Sequence, residues 1–134
     1  MKIHSRLMTQ NELTDLQENV ASLVQYTDSV TVVDGGSTDL TIPFMRNWAQ
    51  EDPKIRFFLH PWEDNFPKQR NNYLAHVAEI AVPGDWILVC DPDEFFDVET
   101  LKNVYNLATL AEKNGRNIVG FRCRSISLKG NKPV

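Results

Sequence analysis

The sequence predicts an α/β domain with three layers, helix–sheet–helix, around a mostly parallel open sheet. Short apolar runs alternate nearly four times with amphipathic helical patterns, which is typical of βαβ units with right-handed crossovers. Acidic residues also follow two of the predicted strands, at Asp34 and Asp91. In open α/β sheets the carboxyl ends of the strands form the edge that binds ligands. The pattern therefore predicts a fold class and a place for the site.

The first half of the chain contains three predicted strands and two helices. Strands are expected at residues 2–8, 30–33 and 55–59, and the second of these is β-branched throughout. Asn11 is the predicted N-cap of the first helix. The apolar residues of that helix follow at helical spacing: Leu13, Leu16, Val20 and Leu23. The second helix is expected at residues 41–50, with a proline in its first turn.

The second half is organised around the apolar run at residues 86–90. Because the run is short and has no polar break, it is interpreted as a strand buried on both faces. A helix is predicted before it, at residues 68–81, and another after it, from residue 98 to about residue 114. A last strand is expected at residues 118–128.

Length and composition indicate one ordinary globular domain, assigned to residues 1–128 and followed by a tail at 129–134. Hydrophobic residues make up 42% of the 134 residues, and the net charge is -4 without a basic block, which argues against nucleic acid as a partner. No stretch approaches the roughly 20 apolar residues of a membrane span. The two cysteines, Cys90 and Cys123, have no CxxC spacing, so a reduced, cytoplasmic protein is expected.

The acids after the central strand have the chemistry of a metal site. Asp91 and Asp93 are two positions apart on a turn that Pro92 stiffens, so both can point to one centre. Carboxylate oxygens suit Mg²⁺ or Mn²⁺ that also carries phosphate oxygens. We therefore expect a metal-bridged nucleotide diphosphate. A cap of the following helix is the simpler alternative for such acids.

Asp34, Gly35 and Arg70 are further candidates for ligand contacts. Asp34 ends the second strand, and Gly35 allows the backbone to approach a ligand closely. The planar guanidinium of Arg70 matches phosphate oxygens, although a surface ion pair is the alternative. Trp62 and Phe66 are expected to be packing residues rather than ligand platforms. The three histidines are scattered without ligand spacing, and no role is assigned to them.

Three blocks together resemble a glycosyltransferase of family 2 with the GT-A nucleotide-sugar fold. The first is Val-Val-Asp-Gly-Gly-Ser-Thr-Asp at residues 32–39, and the second joins Trp62 and Phe66 to Gln-Arg-Asn at 69–71. The third runs from residue 84 to the Asp-Pro-Asp-Glu at 91–94, which resembles the family's metal-binding D-x-D block. The resemblance covers residues 2–96 and extends to about residue 128.

The resemblance implies a transferase that moves a sugar from a nucleotide-diphosphate sugar, a UDP-sugar first among them, to an acceptor hydroxyl. It implies that Asp34 lies near the base and that Arg70 contacts base or phosphate. Asp91 would hold the ribose or the metal shell, and Asp93 would ligate Mn²⁺ or Mg²⁺. Gly35 departs from the family, which commonly has an acid there.

The other departure is in length. Family members usually continue into an acceptor-binding half that brings the catalytic base, and no residue here is a candidate for that base. A shortened or partial donor-binding half is therefore expected, which leaves room for a homo-oligomer or a partner domain. The alternatives are a non-catalytic nucleotide-sugar-binding module and another metal-dependent phosphoryl or nucleotidyl enzyme. An aspartate-based phosphatase is disfavoured because Glu94-Phe95 follows the second Asp.

Overall fold

A computed structural model describes residues 1–117, 120, 128–129 and 132–133. The chain divides into two compact units, Met1–Asn103 and Val104–Val134. The first unit contains all four strands of the main sheet and the first three helices. In chain order its elements are β1 (Ile3–Thr9), α1 (Leu13–Tyr26), β2 (Ser29–Asp34), α2 (Thr41–Glu51), β3 (Ile55–Leu59), α3 (Phe66–Ala78) and β4 (Trp86–Val89). Helix α4 (Val98–Lys113) crosses the boundary in sequence.

The sheet has the order β3-β2-β1-β4, and every neighbouring pair is parallel. The chain steps from β1 to β2 to β3 in one direction and then returns past β1 to β4. Right-handed crossovers therefore place α1 and α2 on one face and α3 on the other. This confirms the predicted α/β fold with a parallel open sheet.

The core lies between β1, β2 and these helices. Val30, Val32 and Val33 of β2 have no exposed surface, as predicted for a buried strand. The apolar stripe of α1 is also confirmed, since Leu16, Val20 and Leu23 are fully buried. Helix α3 packs against both β1 and β2. The two central strands are thus rigidly held, and their ends can position a site.

The prediction that the run at 86–90 is buried on both faces is wrong. Ile87 is 39% exposed and Val89 is 55% exposed, whereas Leu88 is buried. Ile87 and Val89 pair with His4 and Arg6 and so lie on the α3 face of the sheet. Among the strands of residues 1–117, β4 lies at one end of the sheet order, and α3 packs over β1 and β2, which leaves these two side chains of β4 exposed.

The predicted N-cap of α1 is also wrong. Glu12 occupies that position without a side-chain capping bond, and Asn11 has a positive φ of 55°. The Asn11 side chain reaches the next loop, where its Oδ1 accepts the N–H of Thr38 at 2.7 Å and of Asp39 at 3.2 Å. Asn and Asp tolerate this left-handed conformation because their side chains bond locally. The Asn11 side chain therefore bonds the distant loop instead of capping α1.

The predicted strand at 118–128 lies almost wholly outside the described residues. In the second unit, β5 (Leu128–Lys129) pairs antiparallel with β6 (Lys132–Pro133), which the tail's composition did not predict. Over the residues with described positions, no helix combines the length and the apolar composition that crossing a membrane requires.

Candidate functional site

A cleft of about 440 Å³ opens at the carboxyl ends of β1, β2 and β4, at the predicted edge of the sheet. Five separate segments contribute to its walls, and all of them belong to the first unit. The lining residues are Met8, Thr9, Gln10, Glu12, Gly35, Trp62, Phe66, Gln69, Asp91, Pro92 and Asp93. The fold thus brings together three of the predicted site residues, which are Gly35, Asp91 and Asp93.

The loop after β2 is built around the carboxylate of Asp34, which has no exposed surface. Its Oδ1 accepts the N–H groups of Gly36 and Ser37, both at 2.7 Å. Its Oδ2 accepts the Ser37 hydroxyl at 2.7 Å. Such side-chain bonds to the following backbone are how Asp stabilises a tight turn. Asp34 therefore holds the turn, and its neighbour Gly35 borders the cleft.

The acidic turn after β4 is held by Asn19 of α1, which is only 2% exposed. Its Nδ2 lies 3.1 Å from the carbonyl oxygen of Asp91, 3.3 Å from that of Pro92 and 2.7 Å from that of Glu94. The Glu94 carboxylate accepts the N–H of Asp91 at 3.1 Å, so Glu94 also serves the turn. The backbone is fixed, while Asp91 and Asp93 remain exposed at the cleft.

Glu12 is a third carboxylate at this end of the cleft. Partial burial raises its pKa, and the charges of Asp93, Asp15 and Asp91 raise it further. Like charges this close disfavour ionisation of one another, and a cation among them would reverse that effect. The acidic end of the cleft therefore favours a cation electrostatically.

The described ranges contain no group of three or more His, Cys, Asp or Glu side chains that could hold a metal ion alone. Asp91 and Asp93 are hard oxygen donors of the type that Mg²⁺ and Mn²⁺ use. Protein-bound Mg²⁺ commonly takes one or two carboxylates and fills its shell with water and phosphate oxygens. The donor set present fits that kind of partial site.

The opposite wall is formed where Gly35, Gln10 and Trp62 meet. The Gly35 N–H donates to the Thr9 carbonyl at 2.9 Å, and the Trp62 N–H donates to the Gly35 carbonyl at 2.8 Å. A Cβ on Gly35 would lie 3.1 Å from Gln10 Oε1 and 3.4 Å from Trp62 Cβ. The glycine therefore leaves room for both neighbouring side chains.

Trp62 and Phe66 form an aromatic pair at the mouth of the cleft, with ring centroids 4.7 Å apart and planes at 65°. The Trp62 indole N–H donates to Asp64 Oδ1 at 2.9 Å. Phe66 is 63% exposed, so it is not the packing residue that the sequence suggested. This end of the cleft is aromatic and uncharged, in contrast to the acidic end.

Arg70 lies exposed on α3 and is not among the residues that line the cleft. One turn further along, Tyr73 packs under the buried guanidinium of Arg6, whose Cζ lies 4.0 Å from the ring centre. Burial lowers the pKa of Arg6, which the nearby Tyr73 and Asp91 oppose. Arg6 was not a candidate from the sequence, because it sits in the middle of a predicted strand.

Comparison with known proteins decides the family. The profile of glycosyl transferase family 2 matches residues 7–133, which is nearly the whole chain. The chain belongs to glycosyl transferase family 2. A search of curated proteins gave no match.

Solved structures similar to this family 2 chain include TarS and a mannosyltransferase. TarS of S. aureus is 25% identical with a TM-score of 0.63, and the match covers 86% of this chain and 20% of TarS. The mannosyltransferase PcManGT of Pyrobaculum calidifontis, in complex with GDP-Man and Mn²⁺, is 22% identical with a TM-score of 0.56, covering 80% of this chain and 30% of that one.

A third similar structure is the mannose-6-phosphate isomerase of Helicobacter pylori, 16% identical, with a TM-score of 0.59 over 86% of this chain and 48% of that one. Likenesses at 16% and 22% identity show the fold alone. This chain spans less than half the length of each of the three structures. The GT-A fold is established by these neighbours together with the family.

A second, smaller cavity of about 250 Å³ in this family 2 chain is lined by His60, Pro61, Glu63, Lys68 and Asn72. The Nε2 of His60 lies 2.8 Å from that of His76, although the sequence separates the two residues by a loop and most of a helix. The His60 carbonyl accepts Gln69 Nε2 at 2.9 Å, and its N–H donates to the Asp34 carbonyl at 2.9 Å. This histidine pair thus supports the aromatic side of the cleft.

Three residues of the site were missed from the sequence: Gln10, Glu12 and Asn19. Asn19 carried a signal, because it is a polar residue on the apolar stripe of α1, between Leu16 and Val20. Gln10 and Glu12 carried none, since polar residues between a strand and a helix are ordinary. Only the packing of α1 and β2 against β1 brings them to the cleft.

Proposed function

We propose that the cleft binds a nucleotide-diphosphate sugar and that this fold transfers the sugar to an acceptor hydroxyl. The observation that carries the proposal is the polarity of the cleft. Within the lining, the carboxylates of Glu12, Asp91 and Asp93 lie near one another, and the uncharged Gln10, Trp62 and Phe66 form a second group around Gly35. A nucleotide diphosphate has the same division, with a flat base at one end and a charged diphosphate at the other.

A divalent cation, Mn²⁺ or Mg²⁺, is proposed at the acidic end, held by Asp93 and Asp91. When bound, the metal neutralises the charge that develops on the departing diphosphate. The raised pKa of Glu12 supports a cation there, because neighbouring negative charges cause part of the shift. The mannosyltransferase PcManGT, a structural neighbour, holds GDP-Man and Mn²⁺.

We assign the following roles to residues of this chain. Asn19 and Glu94 hold the backbone of the acidic turn, so that the two aspartates need little reorganisation when a ligand arrives. Asp34 holds the turn that brings Gly35 to the base end of the cleft. Arg70, on the exposed side of α3, is proposed to contact phosphate oxygens, for which its planar fork is suited.

A UDP-sugar is the donor we expect first, and the acceptor is unassigned. Transfer to a hydroxyl requires a base that takes its proton. No residue within the described stretches is assigned that role. A binding module that holds the donor without turnover is the second candidate function, because the described residues supply donor contacts and no assigned base. Release of free sugar from a UDP-sugar by this chain would favour the transferase.

Titration of UDP and GDP by calorimetry, with and without Mn²⁺, tests the donor site. We expect one nucleotide to bind, and its affinity to fall about tenfold or more when Asp93 is changed to Asn, because the metal loses its carboxylate. Glu18→Gln is the matched control, since Glu18 is exposed on α1 and does not line the cleft. Equal Mn²⁺-dependent affinity in Asp93→Asn and the wild type would refute the metal assignment.

A further inference from the structure

We infer that Gln10, together with the ring of Trp62, reads the base of the nucleotide and that Asp34 does not contact it directly. The inference rests on the proposed donor site and names the residues that set its base preference. Three observations at the uncharged end of the cleft support it: the burial of the Asp34 carboxylate, the short distance from a Cβ at Gly35 to Gln10, and the fixed position of Trp62.

The Asp34 carboxylate is not accessible to a ligand. It has no exposed surface, and it already accepts two backbone N–H groups and one hydroxyl, each at 2.7 Å. A base could reach it only if the turn from Asp34 to Ser37 opened, which would leave buried N–H groups without acceptors. Asp34 therefore acts on the base end by holding Gly35 in place.

Because Gly35 has no side chain, the side chains of neighbouring residues form the base end of the cleft. Any side chain at this position would begin 3.1 Å from the amide oxygen of Gln10, closer than carbon and oxygen normally approach. Gln10 is exposed and lines the cleft, and its amide makes no hydrogen bond within the part of the chain that has described contacts. The nearest polar group that can face a base here is thus an amide with one acceptor and two donor hydrogens.

Trp62 is fixed on the other side of the same space. Its backbone N–H bonds to the Gly35 carbonyl at 2.8 Å, its indole N–H bonds to Asp64, and its ring touches Phe66 edge-on. A ring held at three points can stack on a flat base without losing further freedom on binding. Stacking on the ring does not distinguish one base from another, so the Gln10 amide sets the preference among bases.

The hydrogen-bonding atoms of an amide and of a carboxylate predict how the preference for a base changes when Gln10 is replaced by Glu. An amide can pair with a base edge that offers one donor beside one acceptor, such as N3–H and O4 of uracil. A carboxylate only accepts, and both of its oxygens can be used by the adjacent N1–H and N2–H of guanine. Changing Gln10 to Glu should therefore raise the affinity for GDP relative to UDP by about tenfold, the size of one good bidentate pair.

The experiment is the titration of UDP and GDP, with Mn²⁺, into the wild type, Gln10→Glu and Gln50→Glu. Gln50 is exposed on α2 and does not line the cleft, so its substitution adds the same charge elsewhere. We expect the ratio of the two affinities to shift toward GDP in Gln10→Glu alone. An unchanged ratio in Gln10→Glu, with nucleotide still bound, would overturn the inference and leave the donor site intact. Binding of neither nucleotide by the wild type would overturn both.

Gly35→Ala is a second, uncharged test. The backbone of Gly35 is not in the left-handed region, so alanine adds only the methyl group that displaces Gln10. We expect the difference between UDP and GDP to shrink, with the dependence on Mn²⁺ preserved. A preserved difference would count against Gln10, and thermal melting confirms that each variant is folded.

Discussion

Two turns of the molecule follow parallel strands and carry aspartates, yet they use them in opposite ways. After β2, Asp34 is fully buried and its oxygens accept three hydrogen bonds from the turn itself. After β4, Asp91 and Asp93 stay exposed, and the turn is held by the side chains of Asn19 from α1 and of Glu94. The carboxylate of an aspartate at a strand end is used up or left free depending on which group satisfies the backbone of its turn.

The largest effect is expected when the carboxylate that holds the turn after β2 is removed. Asp34→Ala should lower the free energy of unfolding by about 3 kcal/mol, because two backbone N–H groups and a hydroxyl lose a charged acceptor in a buried place. Urea denaturation measures it. Asp91→Ala is the matched substitution in the other turn, where the exposed carboxylate should contribute little. Equal losses in the two variants would contradict the contrast between the turns.

A smaller effect is expected at the support of the second turn. Asn19→Leu keeps the branching and the number of heavy atoms but removes the amide that donates to the carbonyls of Asp91 and Glu94, which should cost about 2 kcal/mol. Mn²⁺-dependent nucleotide affinity should fall as well, because the acids would no longer be held. Asn47→Leu, on the exposed side of α2, is the control in both measurements. A stable variant with wild-type affinity would mean that the turn holds itself.

The smallest effect concerns the aromatic side of the cleft and depends on pH. Glu79 accepts from His76 Nδ1 at 3.0 Å, and the Nε2 atoms of His76 and His60 lie 2.8 Å apart. Burial and the adjacent His76 lower the pKa of His60, so folding favours its neutral form. Arg56 lies near the same pair, bonded to the His76 carbonyl and to Glu79.

Because the pKa of His60 is lower in the folded state than the value of about 6.5 in the unfolded chain, stability should be complete above about pH 6.5 and decline as the pH falls through the folded value. His60→Gln keeps a donor toward His76 and removes the titration. Urea denaturation at pH 7.5 and 5.5 should then show a flatter dependence in the variant than in the wild type. Identical dependence in both proteins would exclude His60 as the cause.

The family and the fold could be predicted well from the sequence, and the site only in part. The positions of Asp91, Asp93 and Gly35 at the cleft could be predicted from local order, because each lies within four residues of a strand's carboxyl end. Asp34 and Arg70 were predicted as ligand contacts. The structure places the first inside its own turn, where its oxygens are already bonded, and the second on the exposed side of α3, so that only the contact of Arg70 with a nucleotide stays a proposal.

The amino-acid sequence by itself determined the alternation of strands and helices, because periodicity reports which face of an element is buried. It also determined the acidic turn, whose residues are adjacent in the chain. Only the tertiary structure decided that Ile87 and Val89 of β4 stay exposed, that Asn11 bonds a distant loop, and that Gln10, Glu12 and Trp62 border one cleft. The reason is physical. These outcomes depend on the order of strands in the sheet and on which side chains fill the space beside a glycine. The spacing of residues along the sequence determines neither.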